Sequence, residues 1–312
     1  MLSALSRSLF HALAASPPLE RLASRYGMAR GGFARRFVAG ESVDEAIAAS
    51  RALQDQGFHL TLDQLGEHVA TLDEADAASR AYVRTVGSIV ESGIERNLSV
   101  KLSQLGLHLD RAVCTDNLRR ILMSAAPAGF FVRVDMEESP TVDTTLAIVE
   151  TLRGQGYDAL GVVLQAALRR TEQDLGRMLE LGVRVRLVKG AYREPKAVAY
   201  QKKAEVDAAY ERLMRRLLVE GDLPAIATHD AVLIERARQL AASRGLPAER
   251  FEFQMLYGVR RDLQAALLAQ GYRVRVYVPF GRQWFPYYMR RLGERPANVG
   301  FLLGSLVRER LS

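Results

Sequence analysis

Short apolar, β-branched runs recur along the chain, each closed by a polar residue at its C-terminal end, and the segments between them carry apolar residues at three- and four-residue spacing. The runs predict strands over 58–63, 98–102, 130–135, 160–165, 183–189, 224–229, 251–255 and 273–278. The intervening segments predict helices. Thr71-Leu72-Asp73-Glu74 has the form of a capping box, and Val83, Val86, Val90 and Ile94 follow it as one apolar stripe. Similar stripes run through Leu146, Val149 and Leu152, through Leu175, Met178 and Leu179, and through Leu233, Ile234, Ala237 and Leu240. Strands alternating with helices indicate βαβ units and a parallel sheet, and eight such units close a barrel. A doubly wound sheet is the alternative, but no G-x-G-x-x-G follows any strand and no G-x-x-x-x-G-K-[ST] occurs. The pattern is therefore read as α/β, a (βα)8 barrel over 56–312 preceded by a helical extension over 1–55.

Composition narrows the partners. The chain has 312 residues, 48% of them hydrophobic, enough for one large core. Its single cysteine, Cys114, excludes an internal disulfide framework, and no Cys/His cluster has zinc-ligand spacing, so no metal is expected and a reducing, cytoplasmic setting fits. The net charge is +7, yet the basic residues are scattered rather than gathered with interleaved aromatics, which argues against nucleic acid. No apolar run reaches the roughly 20 residues that span a bilayer. Residues 1–19 contain no acid, carry Arg7, and place Leu2, Leu5, Leu9, Phe10 and Leu13 in a helical stripe. They read as an N-terminal helix on the body; a transit peptide and peripheral contact with the inner membrane are the other readings. Nothing in the sequence marks an oligomeric state.

The strand ends carry the candidate chemistry, because barrels of this kind work at their C-terminal mouth. They hold Asp63 with Glu67 beyond it, Lys101, Asp135, Gln165, Arg186 with Lys189, Thr228 with His229, Gln254, and Tyr277. A single strand-end polar residue often only caps a helix, but recurrence on every strand points to a site. Lys101 and Asp135 are expected to pair. Arg186 and Lys189 on one buried strand imply an anionic or electron-rich ligand, and Gly190-Ala191 allows its close approach. A phosphorylated cofactor suits these features, while a Schiff base on Lys189, with Arg186 beside it, is the rival reading and would make a lyase or aldolase. His229 opens a helix whose amides favour phosphate; His11, His59, His68 and His108 are read as structural.

Near the C-terminus, Tyr287, Arg290, Arg291 and Glu294 share one helical face. Two adjacent arginines there read either as a solvated basic face or as a pair that forks onto a compact anion, a carboxylate being the natural candidate.

Taken together these segments resemble proline dehydrogenase. The resemblance rests on Leu62-Asp63-Gln64-Leu65-Gly66-Glu67, Val100-Lys101-Leu102-Ser103, Val134-Asp135-Met136-Glu137, Leu164-Gln165-Ala166, Arg186 through Tyr192, Ala227-Thr228-His229, Glu252 through Leu256, and Tyr287 through Glu294 with Ala297-Asn298. It covers 58–303 and is similar to the short, monofunctional bacterial form. It implies a distorted, TIM-like (βα)8 barrel with the last helix over its mouth, which oxidises L-proline to Δ1-pyrroline-5-carboxylate with FAD and passes electrons to a quinone. By resemblance, Arg290, Arg291 and Lys101 would hold the proline carboxylate, with Asp135 paired to Lys101. Ala191, Leu256, Tyr277 and Tyr287 would wall the ring. Arg186 would lie near flavin N5 and Gln165 at its polar edge, while Met136, Val188, Lys189, Gly190, Ala191, Thr228 and His229 hold FAD. Glu67 resembles a gate that pairs with Arg290. Ala167, Arg193, Asp230 and Tyr257 depart from the family's usual residues and leave open how the adenosine half is held, with Tyr192 and Phe301 as candidates.

Overall fold

A computed structural model describes residues 27–28 and 32–294. Eight strands form a closed, wholly parallel barrel in chain order: β1 His59–Gln64, β2 Asn97–Val100, β3 Phe131–Val134, β4 Leu160–Gln165, β5 Arg184–Val188, β6 Ala225–Ala227, β7 Glu252–Leu256 and β8 Arg273–Phe280. The register closes where Leu62 of β1 lies beside both Leu98 of β2 and Val278 of β8. Every expected strand is present, although several are shorter. Asp135 lies just past β3, its amide still donating to Val100 at 2.9 Å, and Thr228 and His229 lie past β6.

The helices are α1 Val43–Gln54, α2 Leu72–Ser92, α3 Arg111–Ala125, α4 Val142–Gly154, α5 Thr171–Glu180, α6 Lys203–Glu220, α7 Ala231–Ser243, α8 Arg261–Ala269 and α9 Trp284–Glu294. The stripe expected on α2 is displaced. Its buried face is Ala75, Ser79, Tyr82, Val86 and Ile89, whereas Val90 is exposed and Ile94 lies beyond the Gly93 cap. Tyr82 and Ile89 flank Val86 at the helical repeat and bury more surface than the valines. At its start Thr71 accepts from the Glu74 amide at 3.2 Å, but Glu74 reaches back to Ala70 rather than to Thr71.

Two departures from a regular barrel shape the mouth. Helix α1, from the segment expected as an N-terminal extension, packs against β1 and β8 where an eighth wall helix would lie. Helix α9, following β8, instead seats Trp284, Phe285, Tyr287, Tyr288 and Met289 against Phe33, Ala34, Phe37, Val38 and Leu65 in a second small core. Residues 36–40 are tied down beneath it. The Ala39 amide donates to Pro279 and the Gly281 amide to Gly40, and a side chain at Gly258 would strike the Arg36 carbonyl. Residues 1–26, with the amphipathic stripe, lie outside the described residues. Among the described residues no helix is long and apolar enough to cross a membrane.

The barrel interior is polar. Along the strands, alternate residues Thr61-Asp63, Ser99-Lys101, Arg133-Asp135, Arg184-Arg186, Glu252-Gln254 and Arg275-Tyr277 share the period-two spacing that sends them to one face, while the residues between them join the apolar core. Barrels usually fill that space with branched aliphatics. Here Arg275 bonds both Glu252 oxygens at 2.9 and 3.1 Å and Glu95 at 2.9 Å. Burial pushes the Glu252 carboxyl up, but Arg275 outweighs it and holds it down at about 2. That contribution to stability is present above the ordinary carboxylate range and is lost as pH falls towards 2.

Candidate active site

The mouth is organised around a buried network drawn from five strands, β1, β2, β3, β5 and β8. Lys101 Nζ donates to Asp63 at 2.9 and 3.1 Å, lies 3.3 Å from the Tyr277 hydroxyl, and stands 3.6 Å from Asp135. The expected Lys101–Asp135 pair is thus the longer contact, and Asp63 is the main partner, since it is fully buried and projects from the adjacent β1. Asp135 is held instead by Arg186 Nη1 at 2.9 Å and by the Tyr277 hydroxyl, which donates at 2.7 Å. Arg186 also donates to Ser99 at 3.0 Å, and its guanidinium lies 5.2 Å from the Tyr277 ring centroid.

The charges balance across the group. Burial disfavours the Lys101 ammonium, yet Asp63, Tyr277 and Asp135 more than compensate and its pKa is held well above the ordinary lysine value. Burial, reinforced by Asp135, raises the Asp63 carboxyl against the opposing pull of Lys101. Burial and the two aspartates also push the Tyr277 phenol far up, so it remains a donor at neutral pH. The result is a fixed, water-poor patch of donors at the barrel axis.

Helix α9 brings a second group over this patch. Arg290 forks onto Glu67 at 2.7 and 3.1 Å, joining the helix to the loop after β1. Burial acts against the Arg290 charge, and Glu67 reverses that and raises its pKa. The Arg291 guanidinium lies 5.2 Å from the centroid of Tyr287, one helical turn earlier, so the expected shared face is real for these residues. The side chain of Glu294, and Ala297, Asn298 and Phe301, lie outside the described residues.

The proline dehydrogenase family profile matches residues 46–303. The chain is 39% identical to Proline dehydrogenase 1 of Bacillus subtilis strain 168, covering 97% of this chain and 99% of that one. It is 38% identical to the proline dehydrogenase of Deinococcus radiodurans, covering 99% and 100%.

The chain belongs to the proline dehydrogenase family.

Its barrel is also similar to a solved structure of the family, proline utilization A from Bdellovibrio bacteriovorus inactivated by N-propargylglycine, with a TM-score of 0.78, 29% identity, and 83% of this chain covered. That chain is longer, and the present one spans 32% of it. Membership makes this protein an oxidoreductase of proline catabolism, in a family of flavoproteins.

The remaining residues picked out by the family resemblance fall along one arc of the mouth. Gln165 donates to the Glu137 carbonyl at 2.7 Å, beside buried Met136. Val188 is half-buried, and Gly190 and Ala191 leave their backbone exposed. Gly190 has φ 115°, and a side chain there would meet Gln165 and Ala167 within 3.2 Å. Burial, with Glu67 and Glu137 nearby, pushes the Tyr192 phenol well up. His229 Nε2 accepts from the Leu256 amide at 2.9 Å, which fixes the proton on Nδ1. Buried Thr228 accepts from the Asp230 amide at 3.2 Å.

Three expectations need correction. Lys189 does not share the face of Arg186: it sits between Asp207 at 2.6 Å and Asp230 at 2.8 Å, because odd and even positions of β5 project to opposite sides. Arg186 therefore points into the barrel and does not act on Lys189, which removes the support it would lend to the Schiff-base reading. Gln254 lies in mid-barrel bonded to Glu252, not at the mouth. His68 and His108 are also not isolated; their rings stack at 5.3 Å, and with Glu138 they bring ligand atoms within 4.8 Å of one another on the rim. His59 faces Glu95 at 3.2 Å.

The structure adds Asp63 as the lysine's partner, Ser99 as a support of Arg186, and Ser103, whose amide and hydroxyl both donate to buried Glu137. Their signal was available: Ser99 lies two residues before Lys101, on the same strand face.

Proposed function

We propose that this barrel oxidises L-proline to Δ1-pyrroline-5-carboxylate using FAD and a quinone acceptor. The observation that supports it most is that α9, which carries Arg290 and Arg291, is tied by the Arg290–Glu67 ion pair to the loop after β1, the strand whose Asp63 pairs with Lys101 in the buried network. The chain's residues fit the cofactor. Arg186 has a buried Nε with no hydrogen-bond partner, and the open backbone of 188–191 beside Gln165 offers a broad face at the mouth. Met136, Gln165, Arg186, Val188, Gly190, Ala191, Tyr192, Thr228 and His229 would hold FAD, with Lys189 and its two aspartates at the edge. When bound, FAD supplies the acceptor for the hydride that leaves the ring carbon next to nitrogen.

Everything else is the work of the protein. Arg290, Arg291 and Lys101 bind the carboxylate of proline, and this remote binding aligns the ring. Tyr277, Tyr287, Leu256 and Ala191 wall the ring and exclude water. Arg186, held by Asp135 and Ser99, supplies fixed positive charge where negative charge develops. The basic N-terminal stripe of 1–19 suits peripheral contact with the membrane that carries the quinone, in a reducing cytoplasmic setting.

Glu67 occupies Arg290 and so competes with a substrate carboxylate. Glu67→Ala is expected to lower the KM for proline by roughly 2- to 10-fold with the thermal midpoint shifted by no more than about 2 °C, as the removal of a partly exposed pair would suggest. An unfolded variant would show instead that Glu67 is structural. For substrate choice, the Tyr287 phenol beside the ring leaves no room for a ring hydroxyl. Steady-state assays with the two substrates should give kcat/KM for proline at least roughly 10-fold above 4-hydroxyproline, the scale set by steric mismatch in a close-fitting pocket. Equal rates would remove Tyr287 from that role.

A further inference from the structure

The end of the barrel opposite the mouth contains a cavity of about 710 Å³, and its lining is dominated by arginine: Arg96, Arg133, Arg184, Arg273 and Arg275. Two of these are neutralised. Arg275 is saturated by Glu252 and Glu95, and Arg184 bonds Asp222 at 2.7 Å. The other three have no carboxylate within ion-pair distance among the described residues. Arg96 donates to the Ala128 carbonyl at 2.6 Å and Arg133 to the Arg184 carbonyl at 3.3 Å, both neutral acceptors. The Nε donors of Arg133 and Arg273, and the Asn97 side-chain oxygen, are buried with no partner at all.

Arg133 is the most telling. It is 3% exposed, and it converges with Arg184 on the same phenyl ring, their guanidinium carbons 4.9 and 5.4 Å from the Phe131 centroid. Burial, with Arg186 and Arg275 adding like charge, outweighs the pull of Glu252 and Asp135 and drives its pKa well below the ordinary arginine value. Arginine does not give up its proton in proteins, so the charge persists and calls for a counter-charge. Water would satisfy the donors but not the charge. The carboxylates on the lining, Glu95 and Glu252, are already committed to Arg275.

We propose that this cavity binds one small tetrahedral oxyanion of the phosphate class, received by Arg133, Arg273 and Arg96. Guanidinium forks match two oxygens of such an ion. The Phe131 ring is covered by two arginines and offers no platform for a nucleotide base, which favours a compact ion or the phosphate of a small ester. The site lies at the N-terminal ends of the strands, where barrel residues serve stability, so its occupancy should stabilise the fold.

The test uses the purified full-length protein in phosphate-free buffer. Inorganic phosphate should bind saturably, with about one high-affinity equivalent per chain lost in Arg133→Met, and raise the thermal midpoint by a few degrees at 10–20 mM, as ligand linkage requires, whereas sodium chloride at matched ionic strength should not. Glycerol 3-phosphate run in parallel separates free phosphate from an ester, and binding of either supports the site. Arg133→Met should weaken phosphate affinity at least about 10-fold, the loss of one charge-assisted fork, which distinguishes this cavity from the Arg290–Arg291 pair at the mouth. Should that variant fail to fold, the rim variant Arg96→Gln with Arg273→Gln should show the same loss. Absence of saturable phosphate binding, an equal shift with chloride, or wild-type affinity in the variants would overturn the proposal.

Discussion

Lys101→Met is expected to lower the thermal midpoint by about 5–15 °C, corresponding to about 3–5 kcal/mol for breaking a buried ion pair from one side. The reason is local. Lys101 is the cation between Asp63 and Asp135, and its removal leaves the fully buried Asp63 without its counter-charge, while Asp135 keeps Arg186 at 2.9 Å. Asp63 is fully buried and already disposed towards its protonated form, so the variant relieves the conflict by taking up a proton there. Its stability should consequently fall more steeply than wild type as pH rises, because protonation that is free at low pH must be held against solvent at high pH. The double variant Asp63→Asn with Lys101→Met should recover part of the loss, since the pair is coupled. Thermal melts of wild type and the two variants across pH check this, and a Lys101→Met midpoint within a degree of wild type at neutral pH would mean that Lys101 is held for the substrate alone.

Arg291→Met should raise the KM for proline roughly 10- to 150-fold, the equivalent of one charge-assisted hydrogen bond of about 1.5–3 kcal/mol, with kcat changed less and flavin content near normal. The prediction follows from position. Arg291 lies against Tyr287 on α9, beside Arg290, whose guanidinium is engaged by Glu67. Steady-state kinetics together with the flavin-to-protein absorbance ratio decide the matter. Loss of flavin with an unchanged KM in the remaining holoenzyme would make α9 a cofactor element.

The architecture was legible because the barrel's outer face and its helices obey simple periodicities: each βα unit announces itself by an apolar run and a stripe. What the sequence concealed was the interior. Alternation of Arg133 with Val134 or Arg275 with Val276 resembles a half-exposed strand, and only closure of the sheet shows that the polar row faces inward. The mouth residues were found because they end strands, but their pairing was not. Lys101 could have met Asp135 or Asp63, and the choice depends on which neighbouring strand end projects further over the axis, a matter of register and stagger. Lys189 illustrates the same limit. One residue of offset on β5 sends it away from Arg186 and towards two aspartates distant in sequence. Helix α9 was recognised from its arginines, whereas the small core that anchors it joins residues near 33–38 to residues near 284–289 and has no local signature.

If the donor patch at the barrel axis and the arginines of α9 together present proline to a bound flavin, proline must reduce that flavin directly. The most direct measurement is the absorption spectrum of the purified protein under anaerobic conditions, before and after L-proline is added. A yellow protein whose flavin band bleaches with proline is the expected result. A protein that neither contains nor takes up flavin, or one whose flavin band is unchanged by saturating proline, would contradict it.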